Sequence, residues 1–165
     1  MFDAIADLRR AGFGDCVTVR GLRASRLAEV PHEAGVYVIV RDSVTMPTFA
    51  SASPAGWWKG RDPSLSVPEL EARWVPQALV IYVGKAGGRG TRATLHGRLG
   101  TYLRHGAGTR AAHWGGRAIW QLPDPTELLV AWRRVTAEEP RAVERELLQT
   151  FVRRYGRRPF ANRMG

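Results

Sequence analysis

The chain has 165 residues, of which 44% are hydrophobic and six are tryptophan, so it is long and apolar enough for one domain with a buried core. No apolar run approaches the ~18 residues of a membrane-spanning helix, and the first residues lack the basic and apolar segments of a secretory signal. A single cysteine, Cys16, excludes an internal disulfide, so we expect a cytoplasmic protein with no membrane partner.

The positive charge of the chain is concentrated in its second half. The formal net charge is +10; residues 1–82 hold nine basic and nine acidic side chains, whereas residues 83–165 hold sixteen basic and six acidic ones. Such an asymmetry favours a polyanionic partner, and nucleic acid in particular. The alternative is an arginine-rich compositional bias, because the chain has 23 arginines and only two lysines, Lys59 and Lys85.

The first half of the chain is predicted to hold one clear strand between two less regular regions. Residues 1–30 are predicted to form an N-terminal helical extension of one or two short amphipathic helices. The apolar run GVYVIV predicts a buried strand over residues 35–40. Residues 41–79 contain five of the ten prolines and no steady period, which predicts an insertion or long loop.

Two adjacent tryptophans, Trp57 and Trp58, stand beside Lys59 in this insertion. Because tryptophan is usually buried, we favour packing of the pair beneath the insertion. The alternative is that the rings stack on an unpaired base of a nucleic acid.

The second half predicts a regular alternation of strands and helices. IYVGK at 81–85 reads as a strand, a glycine-rich turn leads to a helix over about 93–105, and LLVAWRRV at 128–135 reads as another strand. The last helix is predicted over about 140–155, since proline is favoured in a first turn and Gly156 suits the stop position.

Helical geometry distinguishes Glu144 from its neighbours. At 100° per residue Glu144 lies in the middle of the apolar stripe of the last helix, whereas Glu146 lies on the solvated face. A carboxylate on a buried face is costly unless a cation or a metal meets it, which marks Glu144 as a candidate site residue. The alternative is a purely structural role, in which Glu144 forms a salt bridge to a buried arginine. On the helix at 93–105, Arg98 lies at the edge of the apolar stripe and is a cation that can reach a sheltered site.

Each of the two central strands carries one tyrosine in an apolar run. Tyr37 shares a strand face with Gly35, and Tyr82 shares one with Gly84, so a glycine leaves space beside each ring. Lys85 comes directly after Gly84. The chain uses arginine for nearly all its other cations, so a lysine here indicates that a compact point charge is needed. Strand tyrosines are usually core residues, so this pairing alone does not define a site.

Five motifs in order resemble the GIY-YIG nuclease family, over about residues 33–163. GVY at 35–37 is similar to the first signature and YVG at 82–84, followed by Lys85, to the second. GRLGTYL at 97–103 resembles the arginine helix, VERELLQTF at 143–151 the glutamate helix and RRPFAN at 157–162 the closing segment. The sequence departs from compact members in the long segment between the two signatures, and its size and insertion look more like the restriction-enzyme branch.

The resemblance implies an α+β fold with a small, mainly antiparallel three-stranded sheet flanked by helices, over residues 31–165 with the insertion at about 41–79. It also implies an endonuclease that hydrolyses phosphodiester bonds with a divalent metal, Mg²⁺ or Mn²⁺. DNA is the expected substrate, in restriction, defence or repair. An RNA-cleaving nuclease and a non-catalytic arginine-rich binding module are the alternatives. A double-strand break would need two subunits, and hence a possible homodimer, or two visits.

The same resemblance implies a role for each motif residue. Glu144 would hold the metal, and Arg98 and Lys85 would add fixed positive charge. Nearby cations are expected to lower the pKa of the phenols, with Tyr37 as general base and Tyr82 as its orienting partner. Asn162 would bind a phosphate or position the base. Nucleic-acid contacts are predicted for Tyr102, His105, Arg104, Arg110, Arg117, Arg133, Arg157 and Arg158.

Overall fold

A computed structural model describes residues 3–162. The strands are β1 (Val17–Thr18), β2 (Gly35–Val40), β3 (Val80–Ala86) and β4 (Leu129–Arg134). The helices are α1 (Ile5–Arg10), α2 (Val19–Ala24), α3 (Val67–Arg73), α4 (Leu95–Gly106) and α5 (Pro140–Tyr155), with a 3₁₀ segment at Trp114–Gln121. Within these residues no helix has the length and apolar character needed to cross a bilayer.

The strands form one antiparallel sheet in the order β1-β4-β2-β3. The predicted α+β class and antiparallel sheet are confirmed, but the predicted count of three strands is wrong. The fourth strand is β1, in which Val17 and Thr18 pair with Val130 and Leu129 of β4. A two-residue strand between two helices is too short to show a period of two, so the sequence pattern did not reveal it.

Each face of the sheet has its own core. Tyr37 and Ile39 point to the face covered by α4, the 3₁₀ segment and the insertion. Val36 and Val38, which alternate with them, point to the face covered by α1 and α5. Strand β2 is buried along its whole length because both faces are covered, which explains its continuous apolar sequence.

The 41–79 region is folded against the first of these cores. Phe49 stacks on Phe160 with ring centroids 5.4 Å apart, and Trp74 meets the same ring edge-on at 5.5 Å. Trp57, in contrast, is 53% exposed, so the expected burial of the tryptophan pair is wrong for this residue. Trp58 is half-buried.

Candidate active site

The register of β2 and β3 brings the two strand tyrosines together. Tyr37 pairs with Gly84 and Ile39 with Tyr82, and the centroids of the two phenol rings are 5.9 Å apart. A Cβ at Gly84 would lie 2.5 Å from Cζ of Tyr37, so only glycine lets that ring lie across β3. The glycine of the second signature therefore makes room for the tyrosine of the first.

Arg98 reaches this pair from α4. The helix begins at Thr94, whose hydroxyl accepts a hydrogen bond from the backbone N–H of Gly97 and fixes the first turn. Arg98 is half-buried and its Nη1 donates to the carbonyl oxygen of Ala112 at 3.1 Å. Its charge and hydrogen bonding favour the phenolate forms of both tyrosines.

The burial of the two phenols opposes their ionisation. Loss of solvent raises the pKa of Tyr37 well above its ordinary value, and it also raises the pKa of Tyr82. Arg98 counteracts the rise at each ring without reversing it. The expectation that nearby cations would lower both values is therefore wrong for the protein alone, because desolvation is the larger effect.

Glu144 supplies the carboxylate of the same site. It is half-buried on α5 while Glu146 is exposed, as the helical geometry predicted. Burial raises the pKa of Glu144, and the charges of Lys85 and Arg98 act in the opposite direction. Within residues 3–162 its carboxylate makes no ion pair, so the alternative of a structural salt bridge is not realised there.

Lys85 and Asn162 both belong to the edge of the sheet next to this carboxylate: Lys85 is part of β3, and Asn162 is hydrogen-bonded to β3. Lys85 directs its Nζ towards the carbonyl oxygen of Gly87 at 3.4 Å and is close enough to act on Glu144. The Asn162 amide donates to the carbonyl of Val83 at 2.8 Å and accepts from its N–H at 2.9 Å. Asn162 thus completes the hydrogen bonding of β3 beside Tyr82; its direct contact with a phosphate stays a prediction.

His113 lies behind the phenols and was not among the predicted site residues. Its Nε2 is 3.0 Å from the hydroxyl of Tyr37, its ring is fully buried, and its Nδ1 has no partner among the described residues. Burial, with a smaller contribution from Arg98, lowers the pKa of His113 to about 3, so the ring is neutral. No local pattern could have identified it, because 76 residues separate it from Tyr37.

Two residues predicted to touch nucleic acid are enclosed in the protein. Tyr102 and His105 are each 0% exposed, and Tyr102 packs its ring 4.6 Å from Trp120 and 5.1 Å from His113. Burial raises the pKa of Tyr102 and lowers that of His105. The prediction of nucleic-acid contact is corrected for both, because the buried face of α4 carries them into the core.

The predicted arginines fall into different surroundings. Arg104, Arg110 and Arg158 are exposed. Arg133 donates to the carbonyl of Ala11 at 2.9 Å and Arg157 donates to that of Trp74 at 3.2 Å, so both are tied to neighbouring segments. Arg117 lies over the ring of Trp114, with its Cζ 4.6 Å from the ring centroid.

A basic groove runs along α5 beside Glu144. One hollow of about 770 Å³ includes Glu144, Arg153 and Arg158. The neighbouring hollow, about 490 Å³, includes Lys85 and Arg89. Arg141 and Arg145 line both hollows and were not among the predicted contacts. Their spacing of four residues on a helix could have suggested a common face.

One carboxylate at the border of an open groove suits a hard divalent cation that keeps most of its water ligands, as Mg²⁺ does. Within residues 3–162 no group of three or more His, Cys, Asp or Glu side chains could hold a metal. Comparison of the chain with protein-family models, curated proteins and solved structures gives no match. The arrangement of side chains is therefore the basis for a functional conclusion.

Proposed function

We propose that the protein is a divalent-metal-dependent endonuclease that hydrolyses phosphodiester bonds, with DNA as its substrate. One observation carries the proposal. The half-buried carboxylate of Glu144 on α5 lies within electrostatic reach of Lys85 and Tyr82 on β3 and of Arg98 on α4. Two cations thus act on an acid that makes no ion pair within residues 3–162, and this combination of charges suits a metal and a phosphate bound together.

Glu144 would hold Mg²⁺ or Mn²⁺, and the bound ion would stabilise negative charge that develops on the phosphate and the leaving oxygen. Burial raises the pKa of Glu144, and a divalent cation bound there would oppose this rise by favouring the carboxylate. Arg98 and Lys85 would hold the non-bridging phosphate oxygens.

The proton of the attacking water would go to one phenol of the pair, provided that the charges of Arg98 and of the metal held by Glu144 keep that phenol as its phenolate. The rings of Tyr37 and Tyr82 lie side by side and each phenol affects the ionisation of the other, so their ionisation belongs to the pair rather than to either ring. Neutral His113 lies with its Nε2 3.0 Å from the hydroxyl of Tyr37 and holds this inner ring, so His113 is a positioning residue. Tyr37 is 0% exposed and Tyr82 is 7% exposed, so Tyr82 is the phenol that would meet the water.

The basic groove along α5 is proposed as the track for the nucleic-acid backbone. Arg141, Arg145, Arg153 and Arg158 border it next to Glu144, so a strand held by its phosphates passes the proposed metal position. This contact is independent of base sequence.

The test is cleavage of supercoiled plasmid and of a hairpin RNA by purified protein with Mg²⁺, with Mn²⁺ and with EDTA. We expect cutting of the plasmid with either metal and none with EDTA. Binding without cutting under every metal would favour the binding module, and cutting of the RNA alone would identify an RNA nuclease.

Glu144→Gln is the matched variant for the metal role, with Glu146→Gln two residues away as its control. We expect Glu144→Gln to lose at least about a hundredfold in rate, typical of removing a group that stabilises transition-state charge. Glu146→Gln should cut like the unmodified protein because its side chain faces solvent. Equal activity of the two variants would refute the assignment of Glu144.

A further inference from the structure

The middle of the insertion, at residues 58–61, forms a small hairpin that the catalytic proposal does not use. Trp58 and Arg61 exchange two backbone hydrogen bonds of 3.2 and 3.0 Å across a two-residue turn. Lys59 and Gly60 both have positive φ, +52° and +73°, as the tight turns favoured in hairpins require. A Cβ at Gly60 would meet nothing within 4 Å, so the tip of the hairpin faces open space.

The base of this hairpin is fixed to the end of α4. The N–H of Gly56 donates to the carbonyl oxygen of His105 at 2.8 Å. A Cβ at Gly56 would lie 2.0 Å from the carbonyl oxygen of Thr109, so the two backbones are in direct contact. The hairpin is therefore a supported projection of the fold.

Between the hairpin and the 3₁₀ segment lies a hollow of about 350 Å³, which we call the tryptophan pocket. It is lined by Trp58, Lys59, Arg61 and Trp114. Both tryptophans are half-buried, and Arg117 lies against the ring of Trp114. The lining thus combines two aromatic rings with two cations and includes no carboxylate. The nearest acid in the sequence, Asp62, accepts a hydrogen bond from the N–H of Ser64.

The chain connects this pocket directly to the candidate active site. Trp114 follows His113, whose Nε2 contacts the hydroxyl of Tyr37. It precedes Gly115, where a Cβ would lie 3.8 Å from the hydroxyl of Tyr82. Trp114, which lines the pocket, is therefore flanked along the chain by the two residues that lie against the phenols.

We propose that the tryptophan pocket binds one nucleotide base that is lifted out of its stack, next to the phosphate that is cut. An aromatic ring can stack on a base only when that base has left its neighbours, whereas Lys59 and Arg61 match the phosphates on either side. Stacking of this kind tolerates any base, so the pocket selects bulged, mismatched or frayed sites by their structure. The inference rests on the proposed nuclease function for the position of the cut.

The probe is a DNA duplex with one unpaired 2-aminopurine, whose fluorescence falls when its ring is stacked, and its fully paired counterpart. Binding is measured in EDTA, so no cleavage interferes. We expect the protein to quench the unpaired base, and Trp58→Ala and Trp114→Ala each to abolish the quenching. Each variant should weaken binding to the bulged duplex about tenfold while leaving the paired duplex unaffected.

Trp57→Ala is the matched control, because this exposed ring does not line the pocket. It should quench like the unmodified protein. Trp114→Phe keeps an aromatic face and should restore quenching, which separates loss of stacking from loss of the fold. Undiminished quenching by both alanine variants, or equal weakening on paired and bulged duplexes, would overturn the proposal.

The outcome also distinguishes this proposal from the function on which it rests. If plasmid is cut with Mg²⁺ but the unpaired base is not quenched, the tryptophan pocket is not a base site and the nuclease proposal stands. If quenching depends on Trp58 and Trp114 but no nucleic acid is cut with any divalent metal, the nuclease proposal fails and the base site stands.

Discussion

At the scale of single residues, the site depends on side chains whose ionisation is set by burial rather than by their neighbours' charges. Tyr37, Tyr82 and Glu144 all have pKa values raised first by loss of solvent. In each case a divalent cation bound nearby would oppose this rise by favouring the charged form of the side chain.

His113 makes the folding stability depend on pH. Its pKa of about 3 in the fold lies below the ordinary value of 6.5, so between these two pH values the unfolded chain binds a proton that the folded chain does not. Stability from this group is therefore lost as pH falls below about 6.5, by about 1.4 kcal/mol per pH unit. Arg98, His105 and the three tyrosines Tyr37, Tyr82 and Tyr102 face His113, and a His113→Gln variant leaves all of these titratable and charged groups in the chain.

The measurement is urea unfolding of the two proteins at a series of pH values. The free energy of unfolding should fall less steeply for His113→Gln than for the original protein as pH decreases from 6.5 towards 3. Parallel curves would show that His113 is not held neutral by the fold. A loss of cutting rate in the variant at neutral pH, without a change in substrate affinity, would support its role in positioning Tyr37.

At the scale of elements, one buried amide makes three of the hydrogen bonds that join the insertion to the rest of the fold. Gln121, at the end of the 3₁₀ segment, is 0% exposed and donates to the carbonyls of Ala50 and Leu65 at 2.8 and 2.9 Å. Its oxygen accepts from the N–H of Leu65 at 2.8 Å. One side chain therefore satisfies three backbone groups of the 41–79 region.

Gln121→Leu should loosen this region more than any surface change. The substitution has similar size but leaves the two backbone groups of buried Leu65 unpaired and removes a bond to the carbonyl of exposed Ala50, and we expect a loss of about 3 kcal/mol in the free energy of unfolding. Limited proteolysis should then cut within residues 41–79 before the strands are attacked. Gln149→Leu, at an exposed position of α5, is the control and should change neither property.

Elements with strong local signals were predictable from the sequence. β2 was predicted at its observed bounds, and α5 ends where Gly156 adopts a φ of +73°. The predicted start of α4 was two residues early, since Thr94 is the N-cap. The short strand β1 and helix α3 were missed, because two and seven residues give no reliable period.

The candidate site was only partly predictable, for a related reason. Glu144 and Arg98 could be placed because a helix fixes which residues share a face. His113 and Gln121 act through contacts with distant segments, and nothing in their immediate neighbours indicates them. The enclosure of Tyr102 and His105 likewise depends on Trp120 and the 3₁₀ segment, which cover a helix face whose exposure the sequence left undecided.

At the scale of the whole molecule, the charge of +10 is consistent with a nucleic-acid partner, but the fold determines which part of it faces the site. Arginines such as Arg133 hold neighbouring segments together, whereas Arg141 and Arg145 line the groove next to Glu144. The total charge of the protein and the charge that lines the groove therefore predict different salt dependences of DNA binding. Their effects can be separated by substitutions that change the total charge equally.

We expect the double variant Arg141→Ala, Arg145→Ala to bind duplex DNA more weakly and with a smaller dependence on salt. If each arginine neutralises one phosphate, the slope of log K against log salt concentration should decrease in magnitude by about 2, at about 0.9 per contact. The control is Arg9→Ala with Arg20→Ala, two exposed arginines that pair with Asp15 and Glu127.

Both double variants lower the formal charge by two, from +10 to +8. A change in slope for the α5 variant alone, measured by fluorescence anisotropy over a salt series, would place the backbone of the nucleic acid in the basic groove. Equal changes in the two variants would mean that the total charge attracts DNA without a defined track. In that case the strand would have no fixed path past Glu144, and the proposed cleavage geometry would lose its support.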